Sequence, residues 1–212
     1  MSPRPYTPVE RQKTVDAGRE RILTGARELL MDDDAEGFSI DAVARRAGVS
    51  RMTVYNQFES KAGLLEALFD SIAARGPFGQ MSDVFAQKDP VAALDDFIAL
   101  FGRFWTHSRR AHLRLRAAAA NDPELAAALE SRNDRRRHGL VELVRRISKK
   151  AKPVVPHDEV VNVLFVLLNF DTFDAFAGAD RAPNDVVALV QRLAHAVLGL
   201  PKKRARKRVS KA

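Results

Sequence analysis

Residues 50–57 read Ser-Arg-Met-Thr-Val-Tyr-Asn-Gln, and six of these eight side chains donate or accept hydrogen bonds. The run holds no nucleophile beside a base and no cluster of metal ligands, so its chemistry is recognition rather than turnover. On a helix, Val54 and Phe58 fall four residues apart on one side with Tyr55 beside them. Arg51, Met52, Thr53, Asn56 and Gln57 fall on the other. One side is suited to packing and the other to touching a polar partner outside the chain.

A helix of about two turns is unstable by itself in water, so neighbouring elements must hold this one. Ser50 is its N-cap, and Ser39 caps an earlier segment whose inner face is Ile40, Val43, Ala44 and Ala47. Phe38 with Val43, and Val49 with Val54, occupy the hydrophobic-staple positions around those two caps. Gly48 lies between the segments, where a left-handed residue stops a helix. A third cap, Ser60, opens a helix with Leu65, Leu68, Phe69 and Ile72 inward. Two short helices joined by a three- or four-residue turn containing glycine make a helix-turn-helix. A DNA major groove about 12 Å wide admits such a helix by its N-terminal end while the first helix crosses the backbone.

The rest of the chain is helical in pattern as well. Ile22, Ala26, Leu29 and Leu30 mark a helix over 16–31, ended by "DDDAEG" with Gly37 as stop signal, and residues 1–14 read as a flexible arm with three prolines. After a break near residues 76–89 come "DPVAALDDFIALFGRFWTHS", a shorter helix "RRAHLRLRAAAAN", and a long one opened by the Asp-Pro of "DPELAAALE". Two strongly apolar helices follow, "VVPHDEVVNVLFVLLNFDTFDAFAG" and "APNDVVALVQRLAHAVLGL". No strand-like alternation occurs. The expected fold is all-α: an N-terminal helix-turn-helix domain of three or four helices over residues 1–75 with its arm, a larger C-terminal helical bundle over 76–200, and a basic tail over 201–212.

Composition narrows the possible partners. The net charge is +8, but the last twelve residues carry seven Lys or Arg and no acid; without them 28 basic residues face 27 acidic ones. Residues 1–61 balance at ten against ten, so the local arrangement, rather than the bulk charge, carries the case for DNA. The sequence has no cysteine, which excludes disulfides, thiolate metal sites and cysteine nucleophiles. The five histidines at 107, 112, 138, 157 and 195 include no pair three or four residues apart, and no Glu-x-x-His motif occurs. Gly-rich phosphate loops and nucleophile elbows are missing too. An enzyme is not expected, nor a cofactor or metal. No apolar run reaches the roughly 18–20 residues needed to cross a bilayer, and residues 1–16 lack the apolar core of a secretion signal. The expected location is cytoplasmic, without membrane attachment.

Residues 38–68, "FSIDAVARRAGVSRMTVYNQFESKAGLLEAL", resemble the DNA-binding region of the TetR family of bacterial transcriptional regulators. The shared pattern runs through Ala47, Gly48, Val49, Ser50, Thr53, Val54, Tyr55, Phe58 and Lys61, and "RERILTGARELL" is similar to the family's first helix. The resemblance implies that Ser39, Ser50, Thr53, Tyr55 and Lys61 belong to the DNA-facing set, with Ser39, Thr53, Tyr55 and Lys61 on phosphates, which fix register without reading sequence. Arg51, Asn56 and Gln57 stand at the family's variable positions and become the base-reading candidates, Arg toward guanine and Asn or Gln toward adenine. Met52 would meet a thymine methyl. Two departures stand out: Gln57 replaces a frequent His, and Gly63 lowers the propensity of the following helix by about 1 kcal/mol relative to Ala.

The resemblance also implies a homodimer through the last two long helices, a near-palindromic double-stranded operator, and a small-molecule effector bound in the C-terminal bundle that releases a repressor from DNA. The pattern agrees with dimerisation, since those two helices are apolar over most of their circumference. Phe97, Phe101, Phe104 and Trp105 form an aromatic stripe that is either core or the lining of an effector cavity. Asn169, Asp171 and Asp174 interrupt an apolar segment; they either pair with arginines or water, or anchor an effector bearing a cationic or hydroxyl group. "RNDRRRHG" reads as a solvated helix face. The alternatives to an effector-controlled regulator are a helical-bundle enzyme and a non-specific DNA-binding protein without effector response.

Overall fold

The computed structural model describes residues 8–32, 38–149 and 155–200. Among the described residues ten α-helices follow one another: α1 (Pro8–Met31), α2 (Ile40–Ala47), α3 (Arg51–Phe58), α4 (Lys61–Arg75), α5 (Met81–Ala86), α6 (Pro90–Ala119), α7 (Pro123–Ser148), α8 (His157–Leu167), α9 (Phe170–Ala177) and α10 (Pro183–Val197). A 3-10 turn, Pro77–Gln80, precedes α5. The fold is all-α, as the pattern of apolar residues indicates. Among the described residues, no single helix is long and apolar enough to cross a membrane.

The helices form two compact units, Met1–Gly76 with Ser108–Arg132, and Pro77–His107 with Asn133–Ala212. A hairpin from further along the chain joins the first of these units. The end of α6 and the start of α7 belong with the amino-terminal helices, because Leu115, Leu125 and Ala128 are buried in the same core as Leu64, Leu65 and Leu68 of α4. That core also holds Ile22, Ala26, Leu29 and Leu30 of α1, and Val43, Ala44 and Ala47 of α2. The second unit packs Phe97, Ile98 and Phe101 of α6, Leu140, Leu143 and Val144 of α7, Val160, Val161 and Leu164 of α8, Phe170 and Phe173 of α9, and Val186, Val190 and Ala194 of α10. At Gly102 the helices meet so closely that an added Cβ would lie 2.3 Å from a methyl of Val187 and 3.0 Å from the ring of Phe173.

Three helix boundaries differ from the sequence expectation. α1 begins at Pro8, inside the stretch read as an arm, because a first helical position accepts a proline that has no N–H to offer; residues 1–7 and 33–37, including the Gly37 stop signal, lie outside the described residues. The two helices read between 90 and 120 are one, α6, since neither Pro nor Gly interrupts the join near Ser108. Conversely, the single apolar helix expected over 154–178 is broken after Leu167 and bends by 54°. Side chains capture the carbonyls that a continuous helix would use: Trp105 Nε1 donates to Leu168 O at 3.1 Å and Thr172 Oγ1 to Val166 O at 2.6 Å.

Candidate nucleic-acid interface

The frame of α2 and α3 is closed by local hydrogen bonds at every end. Ser39 Oγ accepts the Ala42 N–H at 3.1 Å. At the other end of α2, Gly48 takes φ 63°, its N–H reaching Arg45 O at 3.2 Å and that of Val49 reaching Ala44 O at 3.0 Å. This pair of bonds is a Schellman stop, and the left-handed backbone is the reason glycine is needed there. Ser50 Oγ then accepts the Thr53 N–H at 3.1 Å and exchanges a hydrogen bond with Thr53 Oγ1 at 2.8 Å. All three expected caps form, because Ser60 Oγ likewise accepts the Gly63 N–H at 3.0 Å.

The turn from α3 to α4 is unusually tight. Ser60 N donates to Phe58 O at 2.7 Å around Glu59, a γ-turn that holds Glu59 at φ 64°. A Cβ at Gly63 would lie 2.1 Å from Phe58 O. The glycine that weakens the helix propensity of α4 is thus required by the close approach of that backbone carbonyl.

Burial sorts the faces of α3. Val54 and Phe58 are buried, Tyr55 is half-buried against the core, and Arg51, Met52 and Asn56 are exposed, Met52 by 65%. Thr53 and Gln57 are half-buried. The end of α3 is fixed by Arg19 of α1, which stacks over the Phe58 ring at 4.3 Å and donates through Nη1 to Gln57 O at 2.9 Å. In the sequence, Arg19 carries no signal beyond its place in the "RERILTGARELL" segment. Asp41 was missed as well. Its carboxylate accepts from Arg51 Nη1 at 3.0 Å, while Arg51 Nη2 reaches Tyr55 Oη at 3.3 Å and the guanidinium lies 5.5 Å from the Tyr55 ring. The Tyr55 hydrogen bond first, and then the Asp41 charge, raise the Arg51 pKa further above its ordinary value.

Lys61, assigned to a phosphate from the resemblance, lies on the first turn of α4 with its ammonium on Asp122 Oδ2. Asp122 is the N-cap of α7, and its Oδ1 accepts the Leu125 N–H at 3.2 Å. Burial pushes the Asp122 carboxyl up, but the Lys61 hydrogen bond and charge and the α7 backbone N–H groups outweigh it, so its pKa is lowered.

In the second unit, Phe101, Phe104 and Trp105 are brought together. Phe78 lies 4.9 Å from Phe101 and 4.7 Å from Phe104, and Phe104 lies 4.9 Å from Trp105, which meets Phe170 in a T-shaped pair at 5.8 Å. These rings pack on one another. Asn169 opens α9 half-buried, Asp174 is half-buried and Asp171 is exposed. The "RNDRRRHG" face is corrected: Arg136 is only 4% exposed, its guanidinium 4.6 Å from the Phe165 ring and 5.8 Å from those of Phe101 and Trp105. Aromatic faces attract a cation, which a count of charges along the helix does not register.

Two short capped helices joined at Gly48, with an exposed polar face on the second, make a helix-turn-helix. Residues 22–68 match the family described as bacterial regulatory proteins, tetR family. The chain is 36% identical over 72 residues to the HTH-type transcriptional regulator AlkX of Mycobacterium tuberculosis, a match that covers 32% of this chain and 34% of AlkX. Its fold resembles that of NalD, the secondary repressor of the MexAB-OprM multidrug efflux pump in Pseudomonas aeruginosa, at 21% identity and a TM-score of 0.67 over 87% of this chain and 97% of that one. It also resembles a TetR transcription regulator from Haloarcula marismortui, at 18% identity and a TM-score of 0.64 over 87% and 97% of the two chains. Residues 22–68 thus carry the sequence match to the tetR family, and the two-part helical fold is similar to that of NalD and the Haloarcula regulator.

Proposed function

We propose that the protein is a sequence-specific transcriptional regulator that binds a near-palindromic operator as a homodimer and represses until an effector releases it. The observation that carries the DNA reading is the division of α3, with Val54 and Phe58 buried while Arg51, Met52 and Asn56 face outward. Arg51, Asn56 and Gln57 read bases, Met52 meets a thymine methyl, and Ser39, Ser50, Thr53, Tyr55 and Lys61 set the register on the backbone. Two copies of α3 about 34 Å apart would enter successive major grooves, which is why the operator should be near-palindromic.

Dimerisation through α8 and α10 is supported by Val163 and Val166 of α8, which remain exposed after the unit's own core is filled. A small molecule in the second unit, at the Phe101, Phe104 and Trp105 rings or the Asn169, Asp171 and Asp174 segment, would lower DNA affinity by its differential binding to two states. Footprinting of purified protein on the DNA flanking its own coding region tests the reading. A protected two-fold site that survives excess random competitor is the expected result, and equal affinity for all duplexes would overturn it.

A further inference from the structure

The ion pair between Lys61 and Asp122 joins the first turn of α4, three residues past the end of α3, to the link between α6 and α7. The two side chains are only 18% and 20% exposed, so this is a covered pair rather than a fluctuating surface one. Covering an ammonium is costly unless a counter-charge stays beside it. Asp122 is held in place from its other oxygen by the N–H of Leu125. Its link lies between the two arms of a hairpin, α6 and α7, whose outer parts, residues 90–107 and 133–148, belong to the second unit.

We propose that Asp122 competes with a DNA phosphate for Lys61, so that this ion pair limits operator affinity and gives the α6–α7 corner control over it. The inference rests on the DNA-binding reading given above. A lysine already neutralised by a carboxylate condenses no phosphate charge and releases no counterion, so it adds nothing to affinity until that carboxylate withdraws. Any change that moves the corner away from α4 releases the ammonium to the backbone, and any change that tightens it withholds the ammonium. Asp122 thereby converts the position of the corner into a charge available at the DNA face.

Altering Asp122 leaves α4 docked, since Arg132 of α7 holds it independently. Its Nη1 donates to Asp70 Oδ1 at 2.7 Å, and its Nη2 to Glu66 Oε2 at 3.0 Å and Glu66 O at 2.7 Å. Asn caps a helix as well as Asp does, so Asp122→Asn removes the charge and keeps the cap; Asp122→Ser does the same with a different side chain. Operator affinity of the full chain is measured by fluorescence anisotropy across a salt series for wild type, D122N, D122S, Lys61→Gln and K61Q/D122N. Both Asp122 variants should bind roughly three- to ten-fold more tightly at low salt, with a log–log salt slope steeper by about 0.9 per protomer. The double variant should match K61Q alone. Affinity unchanged or weakened in both Asp122 variants overturns the inference, as does a gain that survives undiminished without Lys61, which would be a general effect of removing negative charge. Failure of the wild type to prefer any duplex overturns the DNA-binding reading instead, and is told apart by that first arm.

Discussion

α3 and the α8–α9 segment both depend on side chains that take over backbone hydrogen bonds, yet the side chains come from different distances. α3 is eight residues long and is closed by Ser50 at its start, with Ser60 opening the next helix, each within three residues of the N–H it satisfies. The α8–α9 break is made in part by Trp105, 63 residues earlier in the chain, donating to Leu168 O. The local device is set by residues three positions apart, although α3 still needs its buried Val54 and Phe58 to hold it in place. The remote one exists only once α6 has packed against the segment. The candidate recognition helix is framed by the first kind, and the bend in the core of the second unit is shaped in part by the second.

The largest expected test of that contrast is Phe58→Ala. The ring is buried beneath Arg19, and removing it should cost about 3–5 kcal/mol, unfolding the amino-terminal unit at a lower temperature and abolishing specific binding. A differential melt in which the first unit is unaffected would break the comparison by showing that α3 stands without its packing face. Trp105→Phe keeps an aromatic ring but leaves the Leu168 carbonyl without its donor. It should destabilise the second unit by about 1–3 kcal/mol and leave operator selectivity intact. Arg51→Ala should do the reverse, leaving the melt unchanged while reducing discrimination at one base pair of each half-site by about 1–3 kcal/mol in a binding-site selection. Ser50→Ala, which removes one cap, should cost about 1 kcal/mol in urea unfolding.

The smallest effect is one of pH. The Asp122 carboxyl titrates lower in the folded protein than in the unfolded chain, where an aspartate has a pKa of about 3.9. Its contribution to stability is therefore complete above that unfolded value and is lost as pH falls through the folded one. Acid unfolding of D122N should show a shallower loss over that interval than wild type. An identical profile would mean that the Lys61 pair contributes nothing to the fold.

Much of the candidate interface was legible beforehand because its devices are short-range. The serine caps at 39, 50 and 60, the left-handed Gly48 and the buried pair Val54 and Phe58 all follow from residues within a few positions of one another. Arg19, Asp41 and Asp122 were not legible. Each is a charged residue on a helix or at its end, where a solvated role is the default expectation, and its partner is 10 to 61 residues away. The same reason explains Arg136, whose burial depends on rings from α6 and α8.

By itself the sequence determined that the chain is helical throughout, where its short helices begin and stop, and which side of α3 is apolar, since caps, glycines and apolar spacing act through bonds a few residues long. Tertiary structure alone decided that residues 108–132 join the amino-terminal unit, that the apolar helix after residue 157 breaks at Leu168, and that Lys61 is held by Asp122. Those outcomes depend on which distant surfaces meet, and a contact energy of that kind has no counterpart in the order of neighbouring residues.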